Sequence, residues 1–491
     1  MLNKQSIGTR EVIVLFVMLV AFLFFSLSFL VTFADASNVI QSSFGTLGLL
    51  GGVFLLSLIL AFFINKLKPF NFLCLLLVIG GVLRLFWIIR VDTHPVSDFQ
   101  IMYQAAVKVA QGDFTVFTNH PYYERWPYQV GFTLYQAGVI KLFGDSLFVL
   151  KFFNIMFSLG TAVIVYYIAR ALFNEFCGKM ASLMYVFYIP FIIMCSVLTN
   201  QHLSTFFYAL GVYFATRPTV KHSWLYIGLC FGIGNLIRPL GSFYIGLLIV
   251  YFVFLFCLPS MRSERKQWIK KVLGVLAVYL ILQQIVTFGY AVARIAPYPL
   301  PNNEPYWKFV TGLNVSTNGK FSKADNEYVH QFPLGEERNQ AELQLIKERL
   351  QNKSELLKLF SSKFDEMWGG GDMSTFWSMD NTAQKSWRIY FDGAERIMYL
   401  FAIGLSCVSV AYSIRSNNQN YAHFFLLLII LGYAALHLVI EIQTRYRHDI
   451  IPFIFAVGSM GIQVIYQCLI VTKASFSRDK TESPGINQRS V

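Results

Sequence analysis

A lone carboxylate, Asp98, stands in the stretch His94-Pro-Val-Ser-Asp-Phe-Gln-Ile-Met-Tyr103, directly after the apolar run 71–90. Two other charged groups have the same placement at the end of an apolar run: Arg238 in Gly234-Asn-Leu-Ile-Arg-Pro239, and the segment Glu441-Ile-Gln-Thr-Arg-Tyr-Arg-His448-Asp449. A charge at the centre of a membrane helix costs about 2.5–3.5 kcal/mol, so chains keep charges near such runs paired or in use. Arg238, Arg445 and Arg447 offer fork-shaped donors that match phosphate oxygens. Asp98 offers a carboxylate able to take a proton from an attacking hydroxyl. Together these types suit attack by a hydroxyl beside a bound phosphate. Each also has a plainer reading. Ser97 or Asp98 could cap a helix over 99–110, Arg445 and Arg447 could be interfacial anchors beside Tyr446, and Arg238 before Pro239 could snorkel. His94 reads as a loop residue within reach of the same place. Glu124, in Tyr122-Tyr-Glu-Arg-Trp126, is either a second acid or the partner of Arg125. Glu441, Tyr446 and His202 complete the residues expected near a substrate.

The elements that must position these groups follow from composition. Of 491 residues, 55% are hydrophobic and 14% charged, and the mean hydropathy is +0.52, whereas soluble domains carry about a quarter charged residues. Continuous rather than alternating apolar runs specify helices, one of the two structures that satisfy the backbone inside a bilayer. The expectation is an all-α polytopic membrane protein with about twelve transmembrane helices, over 12–33, 44–64, 71–90, 147–169, 180–198, 200–216, 224–238, 240–258, 271–291, 393–414, 421–440 and 450–471. The first run is longer than the 7–15 apolar residues of a signal peptide, so it reads as a retained span despite the Ala34-Asp-Ala36 that follows. The segment 128–143 carries Gln129, Gln136 and Lys141 and is short for a span; it reads as a helix lying at the interface.

The net charge of +13 is the one feature that points towards nucleic acid. The basic residues, however, fall in short clusters between apolar runs, where the positive-inside rule expects them, so no nucleic-acid partner follows. Placing Lys4 and Arg10 in the cytoplasm puts Lys66, Lys68, Arg170, Lys179, Arg217, Lys221, the Arg262 to Lys271 cluster and Arg415 on that side. Both termini are then cytoplasmic, and 91–146 and 292–392 face outward. Asp98, Arg238 and the Glu441 to Asp449 segment then share one outer level. Arginines on that side run against the topology rule, which favours a phosphate role for Arg445 and Arg447. The seven cysteines include no C-x-x-C pair, so neither a disulfide framework nor a zinc site is indicated.

The division expected is 1–70 as two N-terminal membrane helices, 71–291 as a membrane core with the external catalytic loop 91–146, 292–392 as an external cap, 393–472 as C-terminal membrane helices, and 473–491 as a disordered cytoplasmic tail. Inside the cap, Leu343, Ile346, Leu350, Leu356, Leu357 and Phe360 recur at helical spacing and predict one helix over 336–364 with a structural role. Trp368-Gly-Gly-Gly-Asp372 reads as a hinge in preference to an anion-binding nest. Asn314-Val-Ser and Asn352-Lys-Ser match the glycosylation sequon.

The order of these motifs carries a resemblance. An apolar span followed by Pro-x-Ser-Asp-Phe-x-x-x-Tyr, a Gly112-Asp113 turn, Phe143-Gly-Asp-Ser146 and Ala169-Arg-Ala-Leu-Phe173 resembles GT-C membrane glycosyltransferases, and more narrowly the bacterial branch of the protein mannosyltransferase-like family 39. Gly234-Asn-Leu-Ile-Arg-Pro239, Gly312-Leu-Asn314 with Gly319, and Glu441-x-x-x-Arg445-Tyr446 up to Pro452 extend it over about 70–460. The resemblance implies a polyprenyl-phosphate sugar donor. It also implies transfer with inversion to an extracytoplasmic glycan, lipid or protein acceptor, on the outer face of the cell membrane. It makes Asp98 the base, or the residue that positions the acceptor.

Two departures matter. The acidic loop follows the third span rather than the first, and Thr199-Asn-Gln-His202 occupies a turn where relatives often carry a second acid. With one carboxylate evident where hard divalent cations want several, no metal or other cofactor is expected, and arginines are left to hold the phosphate. Two alternatives stay open: a transporter or flippase of lipid-linked saccharides, and a non-catalytic membrane assembly subunit.

Overall fold

The computed structural model describes residues 9–217, 219–256, 265–416 and 421–481. Lys4, residues 262–264 of the basic cluster and the tail beyond Thr481 lie outside the described residues. Every regular element among the described residues is helical: α1 Thr9–Ile40, α2 Ser43–Asn65, α3 Pro69–Arg90, α4 Asp98–Ala110, α5 Val116–Asn119, α6 Pro121–Arg125, α7 Val130–Phe143, α8 Leu147–Leu172, α9 Glu175–Phe187, α10 Ile189–Ile193, α11 Gln201–Thr216, α12 Ser223–Ile237, α13 Gly241–Phe256, α14 Arg265–Val292, α15 Trp307–Gly312, α16 Lys323–Val329, α17 Glu336–Gln351, α18 Lys353–Phe364, α19 Ser374–Met379, α20 Arg388–Arg415, α21 Tyr421–Val439 and α22 Ile451–Thr481, with short 3₁₀ and π turns between them.

Seven of these helices are long and apolar enough to cross a bilayer, or eight if α9 and the bent segment after it count as one span. The chain is therefore a multi-pass membrane protein. The other expected spans correspond to α11, α12, α13 and α21, of 15 to 19 residues. At 1.5 Å per residue such helices rise about 22–28 Å, less than the roughly 30 Å of hydrocarbon, so the expected twelve exceeds what length and apolarity establish. Pro190 lies just past the break between α9 and the segment 189–196, where the axis turns by 60°. Its ring cannot continue the hydrogen-bond ladder of the helix before it.

Sequence signals start the helices. Ser42 Oγ accepts the Gly45 amide at the start of α2, and Pro69 begins α3, where a missing N–H costs nothing. The helix expected over 336–364 breaks in two because the Asn352 side chain accepts the Glu355 amide and starts α18 afresh. Leu350 and Leu357 accordingly stay exposed. At the far end of the chain α22 runs to Thr481, into the stretch assigned to the tail.

The packing is more integrated than a core with two added helices. α1 lies against α20, and α20 against α22; α8 pairs with α9, and α11 and α14 flank α12. Thr32 Oγ1 of α1 donates to the Trp368 carbonyl at 2.9 Å, and the ring of Phe24 meets the ring of Trp368 edge-on at 4.9 Å. Outside the bundle, α7 packs along α4. With 14 residues α7 is too short to span, which fits a helix of the external loop.

Candidate active site

A cavity of 370 Å³ opens where residues 98–129 and 307–321 meet the ends of α12 and α21. The loop 91–146 supplies Asp98, Tyr122, Arg125 and Gln129; α15 supplies Trp307 and Lys308; the bundle ends supply Arg238, Glu441, Arg445 and Tyr446. A larger, open cleft of 810 Å³ lies at the other end of α12 and α14, lined by Lys221, Lys270 and Lys271. The smaller cavity gathers groups suited to proton transfer and phosphate binding, and is the candidate site.

Asp98 is the first residue of α4. Ser97 takes the position before it at φ 53° without a side-chain capping bond, so the capping reading of the pair is not realised by Ser97. Asp98 is exposed to the cavity and its carboxylate has no ion pair or hydrogen bond among the described residues. Crowding by the cavity walls raises its carboxyl above the ordinary range, while Arg445 and then Lys308 pull in the opposite direction. A raised carboxylate is the stronger proton acceptor.

The three arginines have three different fates. Arg445 lines the cavity, its Nε donating to Gln443 at 2.8 Å, with the rings of Trp377, Phe99 and Tyr446 at 4.8, 5.2 and 5.4 Å. It has no carboxylate partner among the described residues. Burial lowers its affinity for its own proton, a strain that an anion in the cavity would relieve. Arg238 also reaches the cavity, but its guanidinium is engaged by Asp449 at 3.1 Å and Asn200 at 3.2 Å. Its charge is spent within the protein.

Arg447 is the correction. It is fully buried, donates to the Gly370 carbonyl at 2.8 Å and the Thr444 carbonyl at 3.3 Å, and lies over the ring of Tyr399. It does not line the cavity. Residues 444–449 form a 3₁₀ turn, with three residues per turn, so residues two apart point about a third of a turn apart. Arg445 accordingly turns to the cavity while Arg447 turns to the Gly370 carbonyl.

The remaining expected residues divide likewise. Glu441 is buried at the cavity wall, ion-paired with Lys308 and accepting from Gln443. Burial would raise its carboxyl, but Lys308 prevails and holds it low. Tyr446 lies under the Arg238 guanidinium at 4.9 Å. His202 is buried and absent from the lining. His94 is exposed and bonded to Asp92 at 3.1 Å, away from the cavity. Glu124 is exposed and absent from the lining too, whereas its neighbour Arg125 is a wall residue. Arg125 pairs not with Glu124 but with Glu304, and stacks between Trp126 and Trp307 at 4.7 Å each.

The turn Thr199-Asn-Gln-His202 gains a role. Asn200 orients Arg238, and Gln201 Nε2 donates to the Arg445 carbonyl at 3.0 Å. Neutral amides there hold the two arginines from behind. Close packing fixes the opposite wall: a Cβ at Gly131 would come 1.9 Å from the Leu236 carbonyl oxygen, so glycine lets α7 rest on the end of α12. The glycine run after Trp368 is no anion nest. The carbonyls of Gly369 and Gly370 accept from Arg396 at 2.7 and 2.6 Å, and Asp372 pairs with His448 at 3.1 Å. Burial would raise Asp372, yet that bond and the nearby Arg447 bring it down to about 2.

The sequence reading missed Lys308, Arg125 and Asp449. Lys308 carries a faint signal, a lone cation inside Tyr306-Trp-Lys-Phe309. Of the sequons, Asn314 is buried and donates to Asp325 at 2.7 Å, and Asn352 is exposed. No group of three His, Cys, Asp or Glu placed to share a metal ion occurs among the described residues.

Known proteins resemble this arrangement in sequence. Residues 129–288, from just before α7 into α14, match the family described as dolichyl-phosphate-mannose-protein mannosyltransferase, a family of the GT-C type already read from the motifs. No curated protein sequence matches the chain. Among solved structures, the archaeal oligosaccharyltransferase AglB from Archaeoglobus fulgidus, in complex with an inhibitory peptide and a dolichol-phosphate, aligns at 11% identity and a TM-score of 0.48, over 87% of this chain and 53% of that one. ArnT from Cupriavidus metallidurans, bound to undecaprenyl phosphate, aligns at 11% identity and a TM-score of 0.35, over 81% of this chain and 76% of that one. The chain thus spans about half the length of the archaeal enzyme.

Proposed function

We propose that the protein is a membrane glycosyltransferase that moves a sugar from a polyprenyl-phosphate donor to a hydroxyl of an extracytoplasmic glycan, lipid or protein, with inversion at the anomeric carbon. The family match over residues 129–288 supports the reaction class. The observation that carries the mechanism is that one carboxylate, Asp98, and one guanidinium, Arg445, line the same cavity without a partner of opposite charge, while Arg238, Lys308 and Arg125 have theirs.

The acceptor hydroxyl attacks the anomeric carbon from the face opposite the phosphate. Asp98 takes the hydroxyl proton as the new C–O bond forms, and the C–O bond to the phosphate breaks, leaving a lipid phosphate on Arg445. With Lys308, Arg238 and Arg125 each facing a carboxylate, Arg445 is the lining cation left to meet the single negative charge of a sugar phosphodiester. A preorganised donor aimed at developing charge carries much of such a barrier reduction. The active site faces outward, with both termini in the cytoplasm.

The test is transfer by purified, reconstituted protein supplied with polyprenyl-phosphate sugars and a cell-surface acceptor fraction. A glycosidic product of inverted configuration is the expected result. Movement of the lipid-linked sugar across the vesicle without product would instead identify a flippase. Mass spectrometry of surface glycan from deletion cells names the sugar by its loss.

A further inference from the structure

The cap is fastened to the candidate site at a side chain that does not line the cavity. Lys363, on α18, is almost fully buried, and its Nζ donates to three carbonyls: Gly312 at 2.7 Å, Leu438 at 2.8 Å and Ile440 at 2.8 Å. An ammonium has three N–H donors and no acceptor, so these three oxygens saturate it. Two of them belong to the last turn of α21 and the residue after it, immediately before Glu441. The third belongs to the end of α15, four residues after Lys308.

Two backbone bonds extend the seam: the Glu441 amide donates to the Lys308 carbonyl at 2.8 Å, and the Ile442 amide to the Gly319 carbonyl at 2.9 Å. The chains touch so closely that a Cβ at Gly312 would lie 2.2 Å from the Ile440 carbonyl carbon. Three oxygens converging on one buried point repel one another unless a cation sits among them, so without Lys363 the Leu438 and Ile440 carbonyls lose what draws them against Gly312, and the two backbone bonds hold the strip alone.

We propose that Lys363 is a positioning residue for the donor. Its ammonium latches the Leu438–Ile440 backbone to Gly312, so that Glu441 stays on Lys308 and Arg445 is presented to the donor phosphate. This rests on the glycosyltransferase reading for its consequence, but the latch itself is a matter of backbone order. Asp98 comes from the other external region, so the acceptor side is independent of it.

Two variants and two readouts test it. In Lys363→Met, and in the milder Lys363→Gln, which keeps two donors, the affinity for undecaprenyl phosphate and the donor KM worsen by roughly 10- to 100-fold, the scale of an ångström-sized misplacement. The acceptor KM stays put. Amide exchange rises across 438–446 and is unchanged in 98–110. Equal shifts in donor and acceptor KM, or unchanged exchange over 438–446 in both variants, overturn the proposal. If no sugar is transferred by the wild-type protein, the glycosyltransferase reading fails, while the exchange measurement still decides the latch.

Discussion

Residues 91–146 and 292–392 reach one cavity but differ in whether they leave a charge open there. The loop 91–146 delivers Asp98 with no partner, beside an Arg125 that Glu304 holds. The segment 292–392 delivers Lys308 to the wall, paired with Glu441, and behind the wall Glu304 and Lys363, engaged by Arg125 and Arg338 and by three carbonyls. The contrast separates two tasks that residue type alone does not distinguish. A charge left unpaired beside a cavity is available to a ligand, whereas a paired one sets the position of its partner. The bundle end repeats the division within three residues, with Arg445 open and Arg447 closed.

Asp98→Asn is the sharpest way to break this comparison, because removing a general base costs roughly 10²–10⁴-fold in rate. Transfer should fall by that much in reconstituted protein whose melting behaviour is unchanged; wild-type turnover would remove Asp98 from the chemistry. Next in size, Arg445→Gln should raise the donor KM by about 10- to 100-fold, the worth of a hydrogen bond to a charged group. An unchanged KM would return Arg445 to an anchoring role.

Arg447→Met probes the closed member of the pair. It should lower stability by about 1–3 kcal/mol through the lost carbonyl bonds, read as a lower unfolding midpoint, and leave the donor KM alone. A donor-specific KM change there would blur the line between open and closed charges.

The smallest effect concerns Glu342, fully buried in the cap with neither oxygen bonded. Burial first, and Glu304 next, push its carboxyl from 4.5 up to about 8. Between those values the folded cap holds a proton that the unfolded chain has released, so stability falls as pH rises from about 4.5 to about 8. Glu342→Gln should flatten that slope in protease-resistance measurements on the cap; an unaltered slope would place the titration elsewhere.

What was legible in the sequence follows from how far each signal reaches. Asp98 and Arg445 stand out because a charge at the end of an apolar run is costly without a reason, and that cost is local. The helical class was legible for the same reason. Arg447 misled because its role depends on the phase of a 3₁₀ turn, which the string Arg-Tyr-Arg does not reveal. Glu124 and Arg125 were exchanged because the true partner, Glu304, lies 179 residues away. Lys308 and Lys363 sit in a polar region where cations are common, and only the folded seam with 438–442 sets them apart. The break at Asn352 was readable in principle, since Asn followed three residues later by Glu is a helix-start pattern.

The grip of α1 on the Trp368 turn bears on how the protein is made. Thr32 and Trp368 are 336 residues apart, so at ribosomal rates of about 5–20 residues per second roughly 15 to 70 s separate their synthesis. Through that interval the first helix must wait in the bilayer with its inner face uncovered. The α1–α20 contact therefore closes late in biogenesis, and a factor that shields α1 until α20 arrives would act across that interval.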